Sequence, residues 1–278
     1  MLDLSDVTLC CVDTRSVSLA LNAIQKCMAA ARFGRVVFLG PDPKNIPIAP
    51  PVGVDWISIP ALRGIEDYNR IMLRDLLTHV HTTHVLIVQW DGYIVHPELW
   101  RPQFLEWDYI GAPWYHGGRP GTVGNGGFSL RSVKLLKALA SIELDTTRPE
   151  DMEICVHRRD ELEREHTIRI APLDAAQSFA CEYGTYKPSF GFHGMHNFAY
   201  VMSSVELAGW LQQASSEIMC STHTRKLIKS LMQVGRYKEA RRLIRQRSQS
   251  IGWTADQSLL YLRALVTQSR LAVTQAPD

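Results

Sequence analysis

The chain has 278 residues, which is enough for one large α/β domain or two smaller ones. Hydrophobic residues make up 46% and charged residues 21%, so the composition excludes a disordered or fibrous chain. The net charge of +2 excludes a protein that coats nucleic acid or membrane through its overall charge. No apolar run approaches the roughly 20 residues of a membrane-spanning helix, the six cysteines form no C-x-x-C pair, and the first residues carry no basic segment. We therefore expect a cytoplasmic protein with reduced thiols and no secretory signal.

The first ninety residues alternate between strand and helix patterns. Four short apolar runs rich in β-forming residues predict strands at 7–12, 35–39, 56–59 and 84–89. Two stretches with apolar residues at helical spacing predict helices at 16–31 and 65–80. Strands that are apolar throughout, in β-α-β-β-α-β order, indicate an α/β fold whose sheet is mostly parallel and covered by helices on both faces.

The rest of the chain changes character twice. Residues 97–123 are rich in Gly, Pro and Trp and predict irregular structure. Further patterns predict helices at 132–139 and 149–165 and a late strand at 167–171. From residue 203 onward only helical patterns remain, with paired helices at 225–243 and 256–267. We therefore expect two domains, residues 1–202 and residues 203–278.

The C-terminal region carries a strong local positive charge. Between residues 225 and 247, one acid, Glu239, accompanies nine basic residues: Arg225, Lys226, Lys229, Arg236, Lys238, Arg241, Arg242, Arg245 and Arg247. One explanation is a solvated helix face, because Lys and Arg are good helix formers. The other is peripheral contact with the anionic inner face of a membrane, where each basic residue contributes about 1 kcal/mol. Nucleic acid is not an expected partner, because the stretch has only Tyr237 as an aromatic residue for base stacking.

Two acids follow predicted strands at the edge of the sheet where ligands bind. Asp13 comes directly after the first strand, and Asp91 follows the fourth strand in the sequence Q-W-D-G-Y. Open parallel sheets bind ligands beyond the carboxyl ends of their strands. A carboxylate there suits a divalent cation that bridges the protein to a diphosphate. The alternative is an aspartate that only caps a turn.

Three later features add polar groups of the kind that an active site needs. Asn125 lies in V-G-N-G-G-F-S-L-R, where the glycines allow a ligand to approach the backbone closely; the alternative is an ordinary turn. Glu150 and Asp151 follow a proline at a predicted helix start, where a carboxylate serves either as a general base or as a charge that stabilises the helix end. His193 lies in F-G-F-H-G, between glycines, where it is either a ligand-binding group or a structural histidine.

Taken in order, these motifs resemble those of a known family. The chain carries QWDGYI, DYIGAPW, VGNGGFSLRS, PEDMEIC and FGFHG, the first from residue 89 and the last ending at residue 194. This order is similar to the DUF5672-type family of bacteria and fungi, whose members look like glycosyltransferases; the resemblance covers residues 7–197. It implies a GT-A-like fold, in which a Rossmann-like nucleotide-binding half is joined to an acceptor-binding half, and a divalent cation, Mn²⁺ or Mg²⁺, as cofactor.

The resemblance also implies a metal site. Gln89, Trp90 and Asp91 stand where GT-A enzymes carry the D-x-D motif, so Asp91 is the only charged metal ligand that this motif supplies here. His193 is the expected second ligand. An oxygen and nitrogen donor set of this kind suits Mn²⁺ better than Ca²⁺.

The remaining roles follow from the same resemblance. Asp151 is the expected base of an inverting single displacement, with Glu150 as the alternative. The donor sugar or the acceptor is expected to lie along Asn125, Gly126 and Gly127, and Trp114 to stack on a sugar ring. Five residues lie where the nucleoside or its phosphates are expected to bind: Asp13, Thr14, Arg15, Asp67 and Tyr68.

The sequence therefore predicts a glycosyltransferase that takes a sugar from a nucleotide-sugar donor to a glycan or lipid-linked acceptor. Two alternatives stay open. One is a nucleotidyltransferase on a similar fold, although no Gly-rich basic motif follows the first strand to hold a triphosphate. The other is a non-catalytic carbohydrate-binding or scaffold protein.

Overall fold

The computed structural model describes residues 1–46, 48–116 and 119–274. The chain divides into two compact units, Met1–His193 and Gly194–Asp278. The expected domain boundary, between residues 202 and 203, stays a prediction, and the division between compact units falls somewhat earlier in the chain.

The first unit is built on a six-stranded sheet. Two smaller sheets accompany it, one formed by β6 and β7 and the other by β9 and β10. The described strands of the three sheets are β1 (Leu2–Val12), β2 (Ala31–Gly40), β3 (Asp55–Ser58), β4 (His84–Val88), β5 (Tyr109–Gly111), β6 (Pro113–His116), β7 (Arg119–Val123), β8 (Phe128–Ser132), β9 (Ala180–Cys181) and β10 (Gly191–Phe192). The large sheet has the order β3-β2-β1-β4-β8-β5. Its first four strands are parallel, and β8 runs antiparallel to β4 and β5. The sheet is therefore mixed and mostly parallel.

The strands form where the sequence is apolar throughout, because both faces of the sheet are covered. Every residue from Val7 to Val12 is buried, although successive side chains point to opposite faces. On one face Cys10 and Val12 join a core that includes Leu76 and Leu139. Helix α1 (Val17–Ala30) packs against β1 and β2. The predicted fold class, an α/β fold with a Rossmann-type sheet and a C-terminal helical region, is confirmed.

The helices of the first unit follow the predicted positions closely. The predicted helix at 65–80 is α2 (Ile65–Arg70), which continues through a π-helical segment, Ile71–Asp75, into a 3₁₀ turn, Leu76–His79. Helix α3 (Val133–Ser141) begins at Ser132, whose hydroxyl accepts a hydrogen bond from Leu135 N at 3.0 Å. The predicted helix at 149–165 is divided into α4 (Glu150–Met152), a π-helical turn and α5 (Arg159–Glu165), and α6 (Leu173–Phe179) follows.

Two predictions for this unit were wrong. Residues 97–123, expected to be irregular, contain β5, β6 and the described part of β7, because short strands in a region rich in Gly and Pro give too little periodicity to detect. The late strand expected at 167–171 is reduced to a single bridge between Ile170 and Tyr109.

The described secondary structure of the second unit is helical, with short connections between the helices. Its helices are α7 (Phe198–Val201), α8 (Ser204–Gln213), α9 (Ser216–Cys220), α10 (Thr222–Gln233), α11 (Tyr237–Ile251) and α12 (Ala255–Thr274). The predicted helix at 225–243 is in fact the end of α10 and the start of α11. They are separated at Gly235, whose φ of 77° lies in the left-handed region that glycine adopts without strain. None of the described helices is both long and apolar enough to cross a membrane.

Candidate functional site

The carboxyl ends of β1 and β4 meet at one edge of the sheet, because the two strands are parallel neighbours. Asp13 follows β1, and its carboxylate accepts hydrogen bonds from Arg15 N at 2.7 Å and Ser16 N at 2.6 Å. Burial and, more weakly, the charge of Asp91 raise the pKa of Asp13. Asp13 therefore caps the turn that leads into α1 and shares its edge of the sheet with Asp91.

The segment after β4 brings a carboxylate and an amide oxygen to one histidine nitrogen. His193 Nε2 lies 3.4 Å from Asp91 Oδ1 and 3.1 Å from Gln89 Oε1. The amide of Gln89 is held in this orientation because its Nε2 donates to Tyr68 Oη at 2.9 Å. Asp91 and His193 keep 13% and 15% of their side-chain surface exposed, so the pair remains accessible to a ligand.

His193 is held on its other side by a residue that sequence reasoning missed. Its Nδ1 lies 3.2 Å from Glu182 Oε1 and 3.0 Å from Asn125 Nδ2. Burial alone disfavours a charged imidazole, but Asp91 and Glu182 outweigh that effect and raise the pKa of His193 to about 10. His193 therefore lies between two carboxylates that favour its protonated form.

The glycine-rich turn between β7 and β8 packs against the same histidine. Asn125 has a φ of 54°, a left-handed conformation that Asn tolerates better than most residues. A Cβ on Gly127 would lie 2.2 Å from His193 Nε2, and one on Gly126 would lie 1.7 Å from Glu150 Oε1. Both positions therefore require glycine because protein side chains occupy the adjacent space. The close approach of a ligand to this glycine backbone stays a prediction.

Glu150 and Asp151 lie in different surroundings. Glu150 is buried, and its Oε1 forms an ion pair with Arg131 Nη2 at 2.9 Å. The Arg131 side chain is itself fully buried. Burial opposes the charge of Arg131, but Glu150 raises its pKa and keeps it protonated. Asp151 is partly exposed, and its Oδ2 accepts a hydrogen bond from Gly126 N at 3.2 Å. Asp151 is thus the carboxylate that borders the glycine-rich turn while remaining accessible.

The expected nucleotide-binding residues contact the loop before α2. Thr14 Oγ1 accepts a hydrogen bond from Leu62 N at 3.0 Å, and Arg15 donates to the backbone oxygens of Leu62 and Arg63. Asp67 accepts from Arg63 N at 2.9 Å. These contacts order the loop at the edge of the sheet that follows β1, and a role in nucleotide binding stays a prediction.

Two expected site residues are tryptophans at the margin of this cluster. Trp90 is partly exposed between Gln89 and Asp91. Trp114 packs its ring against the backbone of Gly124, where a Cβ would lie only 2.1 Å from the ring. Its expected stacking on a sugar stays a prediction.

The side chains around His193 include potential ligands for a divalent cation. Within residues 1–46, 48–116 and 119–274, no group of three or more His, Cys, Asp or Glu side chains is arranged to hold a metal. The candidate set is instead Asp91, His193 and the neutral amide oxygen of Gln89. Neighbouring ligands of an octahedral cation stand about 3 Å apart, which fits the separations of 3.1 and 3.4 Å from His193 Nε2. The set fits a cation once His193 loses a proton.

Glu182 and Arg131 could not be singled out from the sequence. Glu182 reaches His193 only because β9 and β10 pair in parallel, with Cys181 opposite Phe192, and each strand has two residues. Arg131 lies in β8, whose sequence F-S-L-R-S alternates apolar and polar residues and so predicts that the Arg131 side chain faces solvent. The one available signal was the alternation F-S-L-R in β8, in which every residue is buried.

The fold defines an α/β protein with a mixed, mostly parallel sheet, and its carboxylates, amide and histidine lie at the edge where open sheets of this class bind ligands. The family model described as "Protein of unknown function (DUF5672)" matches residues 52–193, just over half of the chain. The chain belongs to this family, which confirms the resemblance of its motifs. No curated protein matches the chain.

Three solved structures have weak similarity to this chain. A mannosyltransferase, PcManGT, from Pyrobaculum calidifontis, in complex with GDP-Man and Mn²⁺, shares 12% identity with a TM-score of 0.39, over 96% of this chain and 80% of that one. The glycosyltransferase GlyE of Streptococcus pneumoniae TIGR4 shares 14% identity with a TM-score of 0.33, over 58% and 39%. The bifunctional IspDF of Campylobacter jejuni shares 11% identity with a TM-score of 0.36, over 51% and 45%. The chain thus spans less than half the length of the GlyE and IspDF structures, and TM-scores below 0.5 assign no function.

Proposed function

We propose that the protein is a metal-dependent glycosyltransferase of the GT-A type, which transfers a hexose from a nucleotide-sugar donor to a hydroxyl of a glycan or lipid-linked acceptor. The observation that carries the proposal is the convergence of Asp91, Gln89 and His193 at the carboxyl edge of the sheet, with Asp151 across the glycine-rich turn. The family motifs in which these residues lie support the same class of reaction.

The cation site is formed by Asp91, His193 and Gln89. A bound Mn²⁺ or Mg²⁺ would act as a Lewis acid that neutralises charge on the leaving diphosphate. One ligand of this site is already oriented by the protein, because the Gln89 amide donates a hydrogen bond to Tyr68. Binding of a cation requires that His193 release its proton, since a metal-bound imidazole is neutral.

Asp151 is the base in this proposal. It takes the proton of the acceptor hydroxyl while the oxygen attacks the anomeric carbon and the bond to the diphosphate breaks, which inverts the anomeric configuration. Gly126 N holds one of its oxygens, and the side chain is partly exposed to an incoming acceptor. Glu150 is the weaker candidate because it is paired with the buried Arg131.

Donor turnover is the decisive experiment. The purified protein is incubated with Mn²⁺ and a panel of nucleotide sugars, and the products are identified chromatographically. A glycosyltransferase slowly releases nucleoside diphosphate and sugar even without acceptor, whereas a nucleotidyltransferase produces pyrophosphate and a scaffold protein produces neither. A bound donor is found first by thermal shift, because a ligand at 100 times its dissociation constant adds about 2.7 kcal/mol of stability. Absence of diphosphate release with every donor that binds contradicts the proposal.

The proposal extends to peripheral membrane contact of a cytoplasmic protein through the C-terminal helices. Several of the nine basic residues are used internally: Arg225 pairs with Asp256, Arg236 donates to Ala199 O and Met202 O, and Arg247 to Met219 O and Ser221 O. Five of the nine are exposed, and four of these, Lys226, Lys229, Lys238 and Arg242, would carry the contact. Each is worth about 1 kcal/mol close to an anionic surface.

The membrane contact is tested by co-sedimentation with vesicles. The full chain should sediment with anionic vesicles at low salt and less at high salt, because screening weakens the attraction. Reversal of the charges at Lys226, Lys229, Lys238 and Arg242 to Glu should abolish the effect. Equal recovery with neutral and anionic vesicles excludes the membrane role and leaves a solvated helix face.

A further inference from the structure

Glu182 is a buried acid for which neither the sequence motifs nor the proposed reaction has a role. It follows β9, and only 6% of its surface is exposed. A buried carboxylate is costly unless it is paired and hydrogen-bonded. Its position is fixed by the parallel pairing of β9 with β10, which ends directly before His193, and by the hydrogen bond from His193 N to Cys181 O at 2.9 Å.

The two oxygens of Glu182 contact two different parts of the candidate site. Oε1 lies 3.2 Å from His193 Nδ1, and Oε2 accepts a hydrogen bond from Asn125 Nδ2 at 2.6 Å. The carboxylate therefore connects the histidine after β10 to the glycine-rich turn before β8. A carboxylate of this kind offers one oxygen to each of the two partners, whereas a carboxamide of the same size offers a single acceptor oxygen.

This arrangement decides which nitrogen of His193 faces the side-chain oxygens of Asp91 and Gln89. Because Nδ1 faces Glu182, Nε2 is the nitrogen that faces Asp91 and Gln89. Histidine ligands in metal sites commonly donate their second N–H to a carboxylate, which fixes the tautomer and the orientation of the ring. In the same contact Glu182 holds Asn125 in its left-handed conformation against the ring.

We propose that Glu182 is a positioning residue that orients His193 through Nδ1 and Asn125 through its carboxamide, so that His193 Nε2 is presented to the ligand side of the site. The proposal deepens the proposed function, on which its metal-binding consequence rests. Glu182 does not contact the reacting atoms, and its effect passes through His193 and Asn125.

The test combines a metal-free and a metal-bound measurement on the full chain. In the metal-free protein, nitrogen-detected NMR follows the proton on His193 Nδ1, which is assigned by its absence in His193→Ala. Glu182→Ala should remove this signal, and Glu182→Gln should shift it. By electron paramagnetic resonance, the dissociation constant for Mn²⁺ should rise about 10–100-fold in Glu182→Ala and less in Glu182→Gln, which keeps one acceptor.

Glu98→Gln is the matched control. Glu98 also faces a histidine Nδ1, that of His96 at 3.0 Å, but its side chain is 66% exposed and lies outside the site. This variant should leave both measurements unchanged. Should Glu182→Ala fail to fold, Glu182→Gln carries the test because its volume is nearly the same.

An unchanged Nδ1 proton signal in folded Glu182→Ala, or in Glu182→Gln if that variant carries the test, overturns the positioning role. If the parent protein binds no Mn²⁺, the metal site of the proposed function is wrong, and the proton signal still decides the role of Glu182. The two failures are therefore distinguishable.

Discussion

Glu150 and Asp151 are adjacent in the sequence, and a matched pair of substitutions separates their roles. Glu150→Gln removes the counter-charge of Arg131, whose side chain has no exposed surface. Removal of one partner of a buried ion pair costs about 3–5 kcal/mol, because the remaining charge is uncompensated. Asp151→Asn leaves that pair intact, and partly exposed substitutions of this kind change the free energy of unfolding by about 0.5 kcal/mol at most.

The two variants should therefore show opposite patterns. Glu150→Gln should lose more stability, and Asp151→Asn should lose more turnover. For a unit of this size 1 kcal/mol corresponds to roughly 2–4 °C, so Glu150→Gln should lower the melting temperature by about 10 °C, and Asp151→Asn by about 2 °C or less. Turnover of the nucleotide sugar should fall on the order of 10²–10⁴-fold in Asp151→Asn with donor affinity nearly unchanged. It should fall less in Glu150→Gln below its melting temperature. A parent-like melting temperature of Glu150→Gln, together with the larger loss of turnover, would refute this reasoning and make Glu150 the base.

Three further predictions concern the site around His193. Asp91→Asn and His193→Ala should each weaken Mn²⁺-dependent donor binding with an unchanged circular dichroism spectrum, and donor binding equal to that of the parent in both variants contradicts the metal site. Gly127→Ala would put a Cβ 2.2 Å from His193 Nε2 and should weaken Mn²⁺ binding about tenfold or more; Gly209→Ala, where a Cβ meets no atom within 4 Å, should leave it unchanged. Because the pKa of His193 is raised to about 10, Mn²⁺ binding at pH 8 should release about one proton, and its affinity should rise with pH toward 10. Calorimetry in buffers of different ionisation enthalpy measures that proton, which His193→Ala should not release.

The sheet could be predicted from the sequence because its strands are buried on both faces. Residues 9–12, 36–39 and 85–88 are apolar without interruption, and such runs belong to covered, mostly parallel sheets. The antiparallel position of β8 between β4 and β5 could not be predicted, since the run F-S-L-R-S contains a charged residue and two serines.

The residues of the site lie in recognisable motifs, but the contacts between these residues cannot be predicted from the sequence. Asp91, Asn125, Asp151 and His193 could each be selected because a polar residue stands next to glycine, proline or a strand end. The link through Glu182 depends on two strands of two residues, and no periodicity reveals strands so short. Its role therefore requires the three-dimensional structure.

The sequence separations within the site have a consequence for the order in which it assembles. Glu182 and His193 are 11 residues apart, whereas Gln89 and His193 are 104 apart. Closing the longer loop costs about 2 kcal/mol more chain entropy than closing the shorter one. The histidine–carboxylate pair is therefore expected to form early and locally, and to join β4 as a preformed piece. During synthesis, the strands of the six-stranded sheet leave the ribosome long before residue 193. We therefore expect the sheet to fold before His193 completes the site.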